Sequence, residues 1–196
     1  MSKGEATRAK LVASTAELLQ KQGYHATGLA QIVADSGAPR GSLYFHFPGG
    51  KEELACAAIV AAGDAWRERL VAVVGKSTDV GASIEACCEA LARALVESDY
   101  EIGCPVATVA LEASASSEPV RQACADHFAT WRRVLGERLR GAGLPAAQAE
   151  RHATFVLAAV EGALLLARVE RDVTPLRVVG KTLRAMVEAP GPRPTR

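Results

Sequence analysis

GYHATGLAQIVADSGAPRGSLYFHFPGGKEEL, residues 23–54, is cut by glycine and proline into pieces too short for anything but small helices and turns. After Gly23 and Tyr24, either Thr27 or Gly28 can cap a short helix whose Leu29, Ile32 and Val33 share one face, and Ser36-Gly37 ends it. Pro39 opens a third helix, expected over about Pro39 to Phe45, because Pro48-Gly49-Gly50 follows at once. Leu29, Ile32, Val33 and Leu43 can form a small core with a preceding helix. Two short helices around a glycine turn, held at a fixed angle by such a core, have helix-turn-helix geometry. That geometry leaves Arg40, Ser42 and Tyr44 free to enter a DNA major groove.

Working outward, Val12, Ala16 and Leu19 recur at helical spacing, so helix one is expected from about Glu5 to Gln22, with Gly23 as its C-cap. Lys51-Glu52-Glu53-Leu54 starts a long fourth helix to about Val74, with Leu54, Ala58 and Ala65 on one side. Further helices are expected at about Val80 to Glu97, Pro105 to Ala113, Pro119 to Arg140, Ala146 to Arg171 and Pro175 to Glu188. No convincing strand or repeat is readable. The expected fold is all-α: a three-helix helix-turn-helix head over 1–50, joined to a larger helical body over 51–188, about nine helices in all. Residues 189–196, rich in proline, read as a disordered tail.

Composition bounds the function. The chain has 196 residues and a formal net charge of +1, so it lacks the basic excess that would by itself announce nucleic-acid binding. Residues 1–53 hold six basic side chains (Lys3, Arg8, Lys10, Lys21, Arg40, Lys51) against five acidic ones (Glu5, Glu17, Asp35, Glu52, Glu53), so placement must carry that case. Five cysteines without a C-x-x-C pair fit reduced thiols, mostly small core residues, in a cytosolic protein. No apolar h-region follows Met1. The longest apolar stretch, Phe155 to Val169, is interrupted by Glu161, Gly162 and Arg168 and falls short of the roughly 20 residues a bilayer demands. A cytoplasmic protein without a membrane partner is expected. His25, His46, His127 and His152 are scattered, and no H-E-x-x-H, P-loop or nucleophile elbow occurs. No catalytic residue, metal or cofactor is therefore assigned, and an enzyme is not expected.

The G-Y-x-x-T start at Gly23, the I-x-x-x-x-G-x-x-x-G-x-x-Y-x-H-F core from Ile32 to Phe47, and G-K-E-E-L from Gly50 together resemble the TetR family of one-component transcriptional regulators. The similarity spans about 50 residues. Beyond residue 75 it rests on helical pattern and length, with GCPV at 103–106 and the Gly-Gly-Lys51 variant similar to the LmrA/YxaF-like subgroup. The resemblance implies Arg40 on base edges, Gly41 for close approach to DNA, Tyr44 and His46 on phosphates, and Ser42 for either role. The chemistry suits those parts: arginine offers a fork that can be bidentate to guanine, and a phenol and an imidazole N–H are donors for phosphate oxygens. Thr27 and Lys51, at the expected starts of helices two and four, suit phosphate clamping, with plain capping and a solvated charge as the local alternatives. Phe45 and Phe47 are assigned to the core.

For the body, the resemblance implies a homodimer through helices eight and nine. Val156, Val160, Ala163, Leu164 and Ala167 on the one, and Leu176, Val179, Leu183 and Val187 on the other, allow it. An ordinary intramolecular core is the alternative. The resemblance also implies a ligand pocket within helices four to eight. Trp66, Cys104, Val109, Glu112, Phe128, Trp131 and Glu161 are candidate lining residues, each also explicable as core packing. The function implied is repression: a dimer on a palindromic, double-stranded operator, released by a small lipophilic or drug-like inducer. The competing reading is a DNA-binding regulator without such a ligand, controlled by abundance, a protein partner or cysteine redox state. Cys104, at a helix N-terminus, would be the sensor unless it is simply a buried thiol.

Overall fold

The computed structural model describes residues 2–74 and 78–188, so the tail expected at 189–196 lies outside the described residues. Among those described, the chain forms nine helices and no strand: α1 (Lys3–Ala26), α2 (Leu29–Ser36), α3 (Ser42–His46), α4 (Gly50–Val74), α5 (Val80–Glu97), α6 (Pro105–Ala113), α7 (Glu118–Gly141), α8 (Ala146–Glu170) and α9 (Thr174–Glu188). The all-α expectation therefore holds.

Local chemistry explains most boundaries. Ser2 and Glu5 make a reciprocal capping box at the start of α1: the Ser2 hydroxyl accepts from the Glu5 N–H, and the Glu5 carboxylate accepts from the Ser2 N–H. Gly23, expected to end helix one, instead kinks it at φ +81° and ψ −177°, after which one more turn runs to Ala26. Gly37 ends α2 in the left-handed conformation, as a glycine C-cap should. The third helix is shorter than expected and starts three residues later. The Ser42 N–H and hydroxyl both donate to the Pro39 carbonyl, which closes Pro39 to Ser42 as a separate turn ahead of the helix. Arg40 consequently stands in that turn and not on α3 itself.

The chain divides into two compact units that do not follow chain order. One comprises the described residues of Met1–Arg67 and Ile102–Ala129, the other those of Glu68–Glu101 and Thr130–Arg196. The boundary read from the sequence between residues 50 and 51 coincides with no edge of either unit. The first unit is centred on Leu11, Val12, Ile32, Ala38, Leu43, Phe47 and Leu54, with Leu29 and Val33 partly buried against them. This is the small core the sequence suggested, with Phe47 buried as assigned and Leu11, Ala38 and Leu54 added. Ser14 ties α1 to α2 by donating its buried hydroxyl to the Asp35 carboxylate at 2.7 Å.

In the second unit α5, α8, α9 and the C-terminal part of α7 contribute a core of Val80, Ile84, Leu139, Ala149, Ala153, Val156 and Leu183. A Cβ on Gly180 would lie 3.0 Å from Cys88 Cβ, so the absence of a side chain there allows α9 to cross α5 closely. Arg184 joins Asp79, Glu85 and Glu188 around the same crossing. On α8, Val156, Ala163, Leu164 and Ala167 are buried within the chain, as are Leu176 and Leu183 on α9, while Val160, Val179 and Val187 are partly buried against the core. The apolar stripes expected to meet a second copy are thus the chain's own core. A different set stays exposed: Phe155, Leu165, Leu166 and Val169 on α8, and Val178 on α9. By length and composition α8 is apolar enough to cross a membrane, and in this fold it supplies core residues to the second unit.

Candidate nucleic-acid interface

Leu43 on α3 and Phe47 at its C-cap stand four residues apart and are fully buried in the core with Leu11, Ile32 and Leu54. Each burial stabilises by about 1.5–3 kcal/mol, enough to fix so short a helix against α1. What remains turned outward is chemically useful. Arg40, Gly41, Tyr44 and Phe45 are exposed, and Ser42 and His46 are half-buried.

A Cβ built on Gly41 would meet nothing within 4 Å, so its bare backbone faces open space, as close approach to a ligand requires. Ser42 gives its hydroxyl hydrogen to Pro39 O at 2.6 Å and keeps only acceptor capacity for anything outside. Tyr44 is 63% exposed, with its phenol free to meet a partner from solvent. His46 meets Phe45 edge-on, with ring centroids 5.0 Å apart at 81°. The guanidinium of Arg8, an exposed residue, lies 5.0 Å from the centroid of the Phe47 ring.

Phe45 corrects the sequence reading. Assigned to the core with Phe47, it is 81% exposed, whereas Phe47 is 0% exposed. The alternation of aromatics from Tyr44 to Phe47 suggested packing, but helical spacing governs: Leu43 and Phe47, at i and i+4, take the inner face and leave Phe45 on the outer one. That spacing was present in the sequence and was the signal to use.

At the far end of α1 three expected site residues meet. Thr27 is buried and donates its hydroxyl to Gly23 O at 2.6 Å, leaving it no hydrogen for a phosphate; Gly28, not Thr27, is the N-cap of α2. Lys51 donates to His25 O at 3.5 Å and sits 4.5 Å from the Tyr24 ring centroid. Burial lowers the Lys51 pKa, partly offset by the Glu112 charge. Burial, with Glu52 and Cys56 nearby, raises that of Tyr24. Glu112, expected in a ligand pocket, is exposed on α6 and docks here instead. Its carboxylate accepts the His25 N–H at 2.9 Å, and its backbone oxygen lies 3.2 Å from His25 Nε2. A Cβ on Gly23 would overlap that carboxylate. The kink at Gly23 leaves the following N–H groups without helical partners, and the carboxylate takes one of them. No short-range pattern announces this contact between residues 87 positions apart.

The other pocket candidates fall as follows. In the first unit Val109 and Cys104 are buried, and Trp66 and Phe128 are half-buried; in the second, Trp131 is buried and Glu161 half-buried. The Cys104 thiol caps α6 by accepting the Ala107 N–H at 3.4 Å. A groove of about 460 Å³ in the second unit is lined by Ala82, Glu85, Ala86, Glu89, Arg177, Gly180 and Lys181, and none of the seven candidates is among them. The five cysteines are free thiols. Burial pushes Cys87 up to about 11, Cys124 to about 11 and Cys88 to about 12, so these three are protonated at neutral pH.

Comparison with known proteins bears on both parts of the chain. Residues 11–58 match a family described as bacterial regulatory proteins, tetR family, and residues 81–182 match the C-terminal domain of LmrA/YxaF-like transcriptional regulators. The chain is 39% identical over 176 residues to the HTH-type transcriptional regulator LmrA of Bacillus subtilis, covering 90% of this chain and 93% of that protein. It is 34% identical over 190 residues to the uncharacterized HTH-type transcriptional regulator YxaF of the same organism, covering 97% and 99%. A TetR transcriptional regulator from Chloroflexus aurantiacus superposes with a TM-score of 0.79 at 27% identity, over 95% of this chain and 96% of that one.

Proposed function

Because the chain belongs to the TetR family of transcriptional regulators, with an LmrA/YxaF-like C-terminal domain, we propose that it is a repressor that binds a palindromic operator as a homodimer and is released by a small lipophilic or drug-like ligand. The observation that carries this reading is the division of labour around α3: Leu43 on it and Phe47 at its C-cap anchor it, while Arg40 and Gly41 in the preceding turn and Tyr44 on the helix face solvent. Arg40 would read a base edge, Tyr44 and His46 would set register on phosphates, and Lys51 would add a sequence-independent phosphate contact. Thr27 would serve by closing the last turn of α1 through Gly23 O. Residues 1–50 would form the DNA-reading segment and 51–188 the ligand-responsive and dimerising part, in a cytoplasmic protein.

Dimerisation through α8 and α9 would use the exposed set. Phe155, Leu165, Leu166 and Val169 recur at helical spacing and lie clear of the intramolecular core. To move the DNA-competent fraction from 99:1 to 1:99, an inducer must prefer the released state by about 5.5 kcal/mol, however tightly it binds. Selection of bound duplexes from a random library, followed by salt-titrated affinity for the winner and a scrambled control, tests the reading. A palindromic winner, strongly preferred over the control, is expected; no enrichment would refute operator binding. A panel of lipophilic compounds that raises neither the melting temperature nor the off-rate would favour control by abundance or a protein partner.

A further inference from the structure

We propose that Phe45 reads a thymine methyl in the major groove and is the apolar specificity determinant of α3; the proposal rests on the operator-binding reading above. An aromatic ring 81% exposed is common enough singly on protein surfaces, but this one is not free to turn inward. Leu43 and the C-cap residue Phe47 hold the inner side of this five-residue helix, and the His46 ring, with centroids 5.0 Å apart at 81°, packs against the Phe45 ring from its own side. Its exposed neighbours are Arg40, Gly41 and Tyr44, the groups assigned to base edge, close approach and phosphate. The ring therefore travels with whatever α3 is brought against.

Chemistry narrows what it can recognise there. Phenylalanine has neither donor nor acceptor, so it gains nothing from phosphate oxygens or from the polar base edges. The major groove offers one apolar feature among its hydrogen-bonding groups, the C5 methyl of thymine, which apolar side chains contact directly. Insertion of the ring between base steps belongs to minor-groove proteins that kink the duplex. A helix seated by Arg40 and Tyr44 in the major groove instead brings Phe45 alongside base edges. Phe45 would thus distinguish thymine from cytosine at a position where the hydrogen-bonding residues supply no contact.

The experiment uses the full-length protein and the duplex selected above, with each thymine in turn replaced by uracil, which pairs identically and lacks only the methyl. For the unsubstituted protein, one thymine per half-site is expected to lose about fourfold in affinity, and about fifteenfold when both half-sites are changed. Phe45→Ala should bind the thymine duplex more weakly by a similar factor and show no further loss with uracil at that position. Its penalties at other positions, and its melting temperature, should be unchanged. Phe45→Leu should restore part of the methyl dependence. The proposal is overturned if no thymine is sensitive to loss of its methyl, if Phe45→Ala keeps the same uracil penalty, or if it weakens binding to selected and scrambled duplexes alike. Failure to enrich any duplex overturns both readings together, whereas an enriched duplex indifferent to its methyls overturns this one alone.

Discussion

Replacing Gly23 with alanine should cost this protein about 2–4 kcal/mol, and the sum can be taken apart. At φ +81° and ψ −177° the residue occupies backbone space that side chains rarely tolerate, a penalty of about 1–3 kcal/mol. The new Cβ would also overlap the Glu112 carboxylate and drive it off the His25 N–H, a hydrogen bond worth about 1 kcal/mol net at so exposed a place. For a chain of this length the melting temperature should fall by about 5–15 °C. The double-mutant cycle with Glu112→Ala separates the parts. In that background the collision is gone, so Gly23→Ala should cost about 1 kcal/mol less, the strain alone remaining. Urea unfolding of the four proteins supplies the numbers. A Gly23→Ala protein within 0.5 kcal/mol of the parent would refute the strained kink, and an identical cost in both backgrounds would refute the seat assigned to Glu112.

Arg40→Ala should weaken operator binding by about 1–3 kcal/mol and relax preference at one base position, read by repeating the duplex selection; an unchanged preference refutes its base-reading role. Lys51→Ala should weaken binding to all duplexes alike and flatten the salt dependence by about one counterion, measured by titration in increasing salt. A Leu165→Glu, Leu166→Glu protein should sediment as a monomer with its helix content intact, since both side chains are exposed; a persistent dimer would move the interface elsewhere. The folded-state pKa of Cys88 is raised from 9.0 to about 12, so the unfolded chain loses that proton first. Stability should be complete below about pH 9 and decline as pH rises toward 12, with a shallower decline in Cys88→Ala, read from unfolding at a series of alkaline pH values.

Much of the fold was legible because it is written locally. Gly37, Pro48 and Pro105 mark ends and starts of helices, and Ile32 and Leu43, read as core positions, are buried. What was missed depends on pairing at a distance or on competition between two local rules. The Pro39 carbonyl wins both donors of Ser42 and delays α3, which a proline-start rule does not foresee. On α8 and α9 the sequence offers apolar residues around much of each helix, and periodicity alone does not say which stripe faces the chain's own core. Packing decided for Val156, Leu164 and Leu183, leaving Phe155, Leu165 and Leu166 outside. In the same way Glu112 carries no mark of its destination, because the N–H group it seeks becomes available only when α1 kinks.

The docking of α6 on α1 also sets an order of events during synthesis. The Gln20 side chain donates to the Gly103 carbonyl and the His25 N–H to the Glu112 carboxylate, at sequence separations of 83 and 87. A ribosome that has released residues 1–67 has therefore delivered only the N-terminal part of the first unit, and the seat for the end of α1 is still unmade. At about 5–20 residues per second, the helix that completes it follows only after several seconds. Through that interval the nascent chain lacks the contacts that hold Gly23 and His25 in place, so the far end of α1 is completed late, after more than half of the protein exists.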